Sequence, residues 1–435
     1  MDFSGRSAGD AGSGRLSAAA HPGVWRAASQ APGAPPDAEW IEIEYWQYDY
    51  GANVTAMDIL IDQFHEAHPH IRILHNFDTS LEDFQTVMDA RIPAGLGPDV
   101  VSLYHGWQTA WIDAGYLTPL PTDYFPLAEI RAQFSPIIEA SVRDGLLYTL
   151  PTAVRTGALY YNRDLMAKAG LDPDSPPRTV AELEEQGAQC TQRNEDGTYE
   201  ILGFPITMTG QADAWFREVL LRQYGQQPYA EDGITIRWNS EAAGYAAWDQ
   251  FLKFQTELDT GDPTDFDSDP NYFVAGRACF HIDTSFRLET IAANAPDLNF
   301  GVVELPTHND IQSTFGAYWA HGITQKGASS PERLEAAATF LQFITRPEAG
   351  LLWIDIVGEL PAQPAALEDS PLRNDPMLSA FIAGLDYAHA PIYVDEIAER
   401  AALRAAYNAV VLEGMDPAMA LDAAVTTIQA LRAAE

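Results

Sequence analysis

From Ile41 the chain alternates apolar and polar positions through Ile41-Glu-Ile-Glu-Tyr-Trp46, the two-residue period of a half-buried strand. The period then lengthens. Val54, Met57, Leu60, Ile61 and Phe64 recur at spacings of three and four, which is one face of a helix, and Pro69 stops it. Ile71–Leu74 predicts a second strand, Phe84, Val87 and Met88 a second helix, and Asp99–Tyr104 a third strand. Strand, helix, strand, helix, strand implies a parallel α/β sheet with right-handed crossovers. The middle of the chain repeats this grammar. Gly157–Tyr161 reads as a strand, and Asp164–Ala169 as a short helix ended by Gly170. Thr179 with Glu182 forms a capping box that opens a helix through Glu185. An amphipathic stretch covers Ala242–Leu258, and further strands are expected at Arg277–Ile282 and Asn299–Val303. Ser330 and Pro331 make an N-cap and first-turn pair, after which the pattern is helical almost to the end.

Length changes this picture first. At 435 residues the chain exceeds one ordinary core, so two packed units are expected. The balance of 25 basic against 62 acidic residues gives a net charge of −37, which repels polyphosphate and excludes nucleic acid as a partner. Lysine occurs only at Lys168, Lys253 and Lys326. No stretch approaches the apolar length of a membrane-spanning helix. Residues 1–38 are rich in Gly, Ala, Ser and Pro and lack an apolar core, so they predict a disordered leader and no readable signal peptide. Cys190 and Cys279 either pair in an oxidising compartment or remain two buried thiols.

Several segments in order carry a resemblance. They are Phe64-His-Glu-Ala-His-Pro69, Ala94-Gly-Leu-Gly-Pro-Asp-Val-Val101 and Ala114-Gly-Tyr-Leu-Thr-Pro-Leu120, then Gly145-Leu-Leu-Tyr-Thr-Leu-Pro151, Leu159-Tyr-Tyr-Asn-Arg-Asp-Leu165 and Ala169-Gly-Leu-Asp172. Phe273–Phe280, Phe340–Ala349 and Gly358-Glu-Leu-Pro361 continue the series. Together they resemble the extracellular solute-binding proteins that serve carbohydrate importers, the group containing the maltodextrin-binding proteins. Each motif alone is weak; their order and spacing from about Trp40 to the C-terminus are specific. The chain departs from the pattern at Val180, where the family usually has tryptophan, and at Thr284-Ser285-Phe286, where Gly-Ser-Trp is commoner.

The resemblance implies a periplasmic-binding-protein-like α/β fold: two lobes joined by hinge strands, a ligand cleft between them, and a helical C-terminal part. Lobe one is expected to hold 39–153 and 317–362, and lobe two 154–316 and 363–435. The implied function is a receptor, not an enzyme, for an ABC-type importer. It is exported to the periplasm, monomeric, without cofactor, and partnered by a carbohydrate and the importer's permease subunits. A sugar presents hydroxyls at its rim and C–H patches on its faces, so a cleft needs aromatic rings beside groups that donate and accept hydrogen bonds. At predicted strand ends stand Trp46, Gln47 and Tyr48, then Asp78, then Tyr104, His105 and Trp107. Later segments add Arg155, Trp215, Asp283, Ser285 and Arg287, and Tyr318 with Trp319. Trp319 is the foremost stacking candidate. Trp107 is assigned to the cleft and Trp111, four positions on, to the core.

Other chemistries fit less well. His65, His68, His70 and His75 are read as solvated or capping, because the first two are three apart where a zinc-protease helix needs four. Asp265, Asp267 and Asp269 alternate like a calcium loop, but Pro270 stands where an EF-hand needs glycine, so an acidic surface loop is preferred. Nucleophile elbows, Walker loops and dinucleotide fingerprints are missing. Two rival functions remain. One keeps the fold and binds a cation such as a polyamine, against which Arg155 and Arg287 argue. The other is a polysaccharide hydrolase or lyase.

Overall fold

The computed structural model describes residues 40–206, 212–230, 232–262 and 269–433. The expected leader, and Asp265 and Asp267 of the acidic alternation, lie outside the described residues. The opening strands form where the pattern predicts: β1 (Ile41–Tyr48), β2 (Ile71–Thr79) and β3 (Val100–Tyr104). They are parallel in the order β2-β1-β3. Between them run α1 (Gly51–Ala67), which buries Met57, Leu60, Ile61 and Phe64, and α2 (Leu81–Arg91). Ser80 caps α2, its Oγ accepting the Asp83 N–H at 3.2 Å.

The middle of the sheet departs from the expected parallel repeat. The strand anticipated at Gly157–Tyr161 begins at Thr149, giving β4 (Thr149–Asn162). Along its later half β4 pairs antiparallel with β5 (Phe280–Thr284) on one side and β6 (Phe300–Val303) on the other. Along its earlier half it pairs antiparallel with β7 (Thr314–Ile323), which in turn lies antiparallel to β3. The result is one nine-stranded mixed sheet in which β4 and β7 serve both ends. Two short strands, β8 (Leu360–Pro361) and β9 (Ala388–His389), join β4 and β7 respectively.

Pro151 matters to this ladder because it has no N–H to give. It stands opposite Ala320, and the next pair is Val154 with Tyr318, so Thr152 and Ala153 together oppose the single residue Trp319. That is a β-bulge, a device that bends a strand and re-aims a side chain.

The helices sort onto the two ends. In the middle of the chain come α3 (Val180–Cys190), α4 (Ala212–Gln223) and α5 (Ala242–Thr256). Later come α6 (Pro331–Ile344), α7 (Pro347–Val357), α8 (Glu396–Val411) and α9 (Pro417–Ala433). The pair α6 and α7 packs on α1 beside the parallel strands, whereas α8 and α9 pack on α5 at the other end. The expected capping box at Thr179–Glu182 and the cap at Ser330 both form. Cys190 and Cys279 are joined in a disulfide with Cα atoms 6.4 Å apart, tying the end of α3 to the start of β5. All three lysines sit in ion pairs: Lys168 with Glu200, Lys253 with Glu184 and Lys326 with Glu44.

Of the four histidines, His70 is exposed and His68 stands at the C-cap of α1, as the solvated or capping reading expects, whereas His65 and His75 correct it. His65 is buried and its Nε2 accepts the Ile73 N–H at 3.0 Å, fastening α1 to β2. His75 is buried with its Nδ1 2.8 Å from Asp58, and the His68 ring stacks on Phe64. Fully inside, His321 lies between Tyr45 and Thr152. The Thr152 hydroxyl donates to the Ile344 carbonyl at 2.6 Å, so it must accept from His321 Nε2 at 3.0 Å. Burial disfavours a second proton on the ring, so Nδ1 lies 3.1 Å from the Tyr45 hydroxyl as an acceptor.

Two predictions follow from this scaffold. The disulfide closes a sequence separation of 89, so replacing both cysteines by alanine should lower the unfolding free energy by about 2–4 kcal/mol. Urea midpoints decide it, and an unchanged midpoint would mean that the bond does not form. The second concerns His105 and His321, whose pKa values are lowered to about 3 by burial. An unfolded histidine takes its proton near 6.5, so the folded state binds fewer protons below that value. Their contribution is complete above pH 6.5 and is lost as the pH falls toward 3, at about 1.4 kcal/mol per pH unit for each ring. His321→Asn should flatten this slope in urea titrations across that window, and an equal slope would contradict the assignment.

Candidate functional site

Where β3 and the bulged β4–β7 ladder meet α4 and α8, a cavity of about 300 Å³ opens. It lies past the carboxyl end of β3, where open α/β sheets hold ligands. Its lining comes from both ends of the sheet: Leu81, Tyr104, Trp107 and Trp319 on one side, Trp215 and Glu396 on the other, with Arg155, Ala317 and Tyr318 between them.

Local structure explains each aromatic. Trp319 faces the bulge, and its ring packs against Tyr48 at 4.1 Å, edge-on to Trp107 at 5.3 Å and near Tyr104 at 5.9 Å. Tyr104 ends β3, and Trp107 closes the single 3-10 turn that follows. Trp215, in the first turn of α4, packs on Phe315 at 4.7 Å. Its indole Nε1 is buried without a hydrogen-bond partner among the described residues, a donor that a bound hydroxyl would satisfy.

The charges in the cavity are compensated. Arg155 donates to Glu359 at 2.6 Å, and the other Glu359 oxygen accepts the Trp353 indole N–H at 3.0 Å. The guanidinium also lies 4.7 Å over the Phe286 ring. Burial works against the Arg155 charge, but the Glu359 carboxylate more than offsets this and holds its pKa above the ordinary value. Glu396 is buried and paired with Arg400 one turn along α8, at 3.4 Å.

The residues singled out from the sequence divide into two groups. Tyr104, Trp107, Arg155, Trp215, Tyr318 and Trp319 line the cavity, although the Tyr318 hydroxyl turns away to Ser141 and Gln108. The others do not reach it. Trp46 is buried beneath Arg91, and Tyr48 supports Trp319 from behind. Gln47 borders a small void in the same layer, with its Nε2 unpartnered among the described residues. His105 is buried and stacked on Tyr318, and Asp78 is exposed at the end of β2. Asp283 takes bonds from Arg287 and His281, while Ser285 donates to the Gly358 carbonyl at 3.2 Å. Burial would raise the Asp283 pKa, yet His281 and Arg287 bring it down to about 2. Trp111 is in the core.

Sequence reasoning passed over Leu81, Glu359 and Glu396. Glu359 stands inside the Gly358–Pro361 turn, where only tertiary contact shows its partner. Glu396 follows the helix cap Asp395, whose Oδ1 accepts the Ala398 N–H at 3.0 Å. That start is readable from sequence; its aim into the cavity is not.

Comparison with known proteins places this arrangement. A family model for bacterial extracellular solute-binding proteins matches residues 60–380. The chain is 24% identical over 353 residues to the sn-glycerol-3-phosphate-binding periplasmic protein UgpB of Yersinia enterocolitica, covering 75% of each. It is 25% identical over 315 residues to the maltotriose-binding protein of Pyrococcus abyssi, covering 71% of this chain and 64% of that one. Among solved structures, the cyclic alpha-maltosyl-1,6-maltose binding protein of Arthrobacter globiformis superposes with a TM-score of 0.79 at 22% identity, covering 91% of this chain and 100% of that one. The sugar-binding protein MalE of Xanthomonas citri gives 0.76 at 18% identity, covering 90% and 98%. These likenesses establish the fold as the two-lobed α/β architecture with helices at both ends of a shared sheet. Among the described residues no helix is long and apolar enough to cross a membrane. With the family model spanning most of its length, this chain belongs to the bacterial extracellular solute-binding protein family.

Proposed function

We propose that the protein is the receptor of an ABC-type importer and binds a neutral mono- or oligosaccharide in this cavity without transforming it. The observation that carries the reading is the combination of aromatic faces from both sides of the cavity with compensated charge. Tyr104, Trp107 and Trp319 offer rings from one side and Trp215 from the other, a sandwich suited to the C–H patches of a sugar. Arg155 with Glu359, Glu396 and the Trp215 N–H supply hydrogen bonds for its rim. A phosphorylated ligand such as glycerol 3-phosphate would want an uncommitted cation, whereas Arg155, the one cation among the described lining residues, is engaged by Glu359. A polyamine would want carboxylates without that guanidinium.

In this reading lobe one comprises 39–153 and 317–362 and lobe two 154–316 and 363–435, with β4 and β7 as hinge strands. The ligand favours a closed form that presents both rims to the permease subunits. The Cys190–Cys279 disulfide supports residence in an oxidising compartment, the periplasm. The receptor acts as a monomer and needs no cofactor.

A thermal-shift and calorimetric panel tests the proposal with neutral oligosaccharides, glycerol 3-phosphate and spermidine. A neutral saccharide should raise the melting temperature and be recovered chemically unchanged. Response to the phosphate or the polyamine alone, or conversion of the sugar, would contradict it. With the responding sugar, Trp319→Ala should weaken binding by about 1–3 kcal/mol, the scale of one buried aromatic side chain. Stability should change less, because the ring is only half-buried. Equal affinity by calorimetry would return Trp319 to a packing role.

A further inference from the structure

Arg432 lies on the last helix, only 3% exposed, and its contacts tie α8 to two irregular stretches, one around Gly233 and one at 392–395. It donates to Glu399 at 3.1 and 2.8 Å, to the Gly233 and Ile234 carbonyls at 3.3 Å, and to the Ile392 carbonyl. Its guanidinium sits 4.9 Å over the Tyr229 ring. Glu399 accepts the Val394 N–H at 2.9 Å and the Asp395 N–H at 3.4 Å, and the Tyr229 hydroxyl accepts the Ile392 N–H at 3.3 Å. Residues 392–395 belong to no helix or strand, so their buried backbone groups depend on these side chains for partners.

What the segment carries gives it a role. It leads directly into Glu396, which lines the sugar cavity and lies close to Gly106 of the opposite wall; a Cβ on that glycine would be 3.5 Å from Glu396 Oε2. At its other end Ile392 lines a separate cavity of about 420 Å³. Its lining likewise includes Arg131 and Arg143 from one stretch of the chain and Arg222 and Tyr229 from another. The same helix, α4, places Trp215 in the first cavity and Arg222 in the second.

We propose that Arg432, with Glu399, is a positioning residue for ligand binding: it fixes 392–395 as the wall that ends the sugar cavity and aims Glu396 into it, so limiting the length of saccharide accepted. This rests on the receptor reading above. Arg432 does not touch the ligand. Without the wall the two cavities would merge into one longer groove.

The test uses the full chain and a double variant, Arg432→Met with Glu399→Gln, which removes the ion pair without leaving one buried charge alone. Tyr229→Phe, which removes a hydroxyl that accepts from Ile392 and donates to Glu218 at 3.0 Å, is the milder companion. Hydrogen exchange, read without any ligand, should accelerate by about tenfold at 392–395 and stay unchanged in β4. Calorimetry with the saccharide found in the panel should show about tenfold weaker binding, with longer homologues of the same linkage losing less. A lowered melting temperature with unchanged exchange at 392–395 and unchanged affinity would make the pair merely structural and overturn the proposal. Faster exchange with unchanged affinity and unchanged length preference would overturn it too. If no saccharide binds the wild type, the receptor reading fails, and unchanged exchange in the variants would independently dismiss the wall.

Discussion

Because β4 and β7 pair with each other between Thr149–Thr156 and Gly316–Gly322 and then part toward different neighbours, both ends of the molecule hang from the same two strands. Toward one end β7 continues the parallel strands through β3; toward the other β4 takes up β5 and β6. The space beside this ladder is therefore walled by elements from both ends, and any motion between them must bend it. Pro151 cannot donate to the ladder, the bulge at Thr152–Ala153 absorbs the mismatch, and Trp319 stands opposite the bulge at the mouth of the cavity. A backbone constraint thus shapes the cavity wall.

The distribution of charge follows a different logic from its total. The chain carries −37 overall, yet its interior uses arginine in fixed pairs: Arg333 with the fully buried Asp99, Arg432 with Glu399, and Arg155 with Glu359. Buried pairs are weak sources of net stability because desolvation opposes their attraction. Here each joins segments distant in sequence, and two of the three border or support the cavity. The acidic excess is left to the surface, where it says nothing about the ligand.

Much of the fold was legible where one period of apolar residues sets one element. The strands β1 to β3, the helix α1 and the caps at Thr179 and Ser330 are of this kind. The antiparallel neighbours of β4 were not, since a strand's own pattern records its burial and not its partners, and β4 is buried almost throughout. The cavity was partly legible for a related reason. Aromatics at strand ends point to a cleft, but what covers each is a tertiary matter: Trp46 is buried beneath Arg91 and Gln47 borders the void behind Trp319, while Trp319 lines the cavity. Arg155 could be named from sequence; that Glu359, 204 positions away, neutralises it could not. The disulfide was one of two open outcomes for Cys190 and Cys279, because connectivity needs coordinates.

The central claim is that a neutral saccharide is held between two walls that hinge on β4 and β7. Small-angle X-ray scattering tests it most directly, with and without the saccharide selected by the binding panel. The account predicts a smaller radius of gyration at saturating sugar, as the walls close on a ligand that both contact. An unchanged radius at saturation would contradict it.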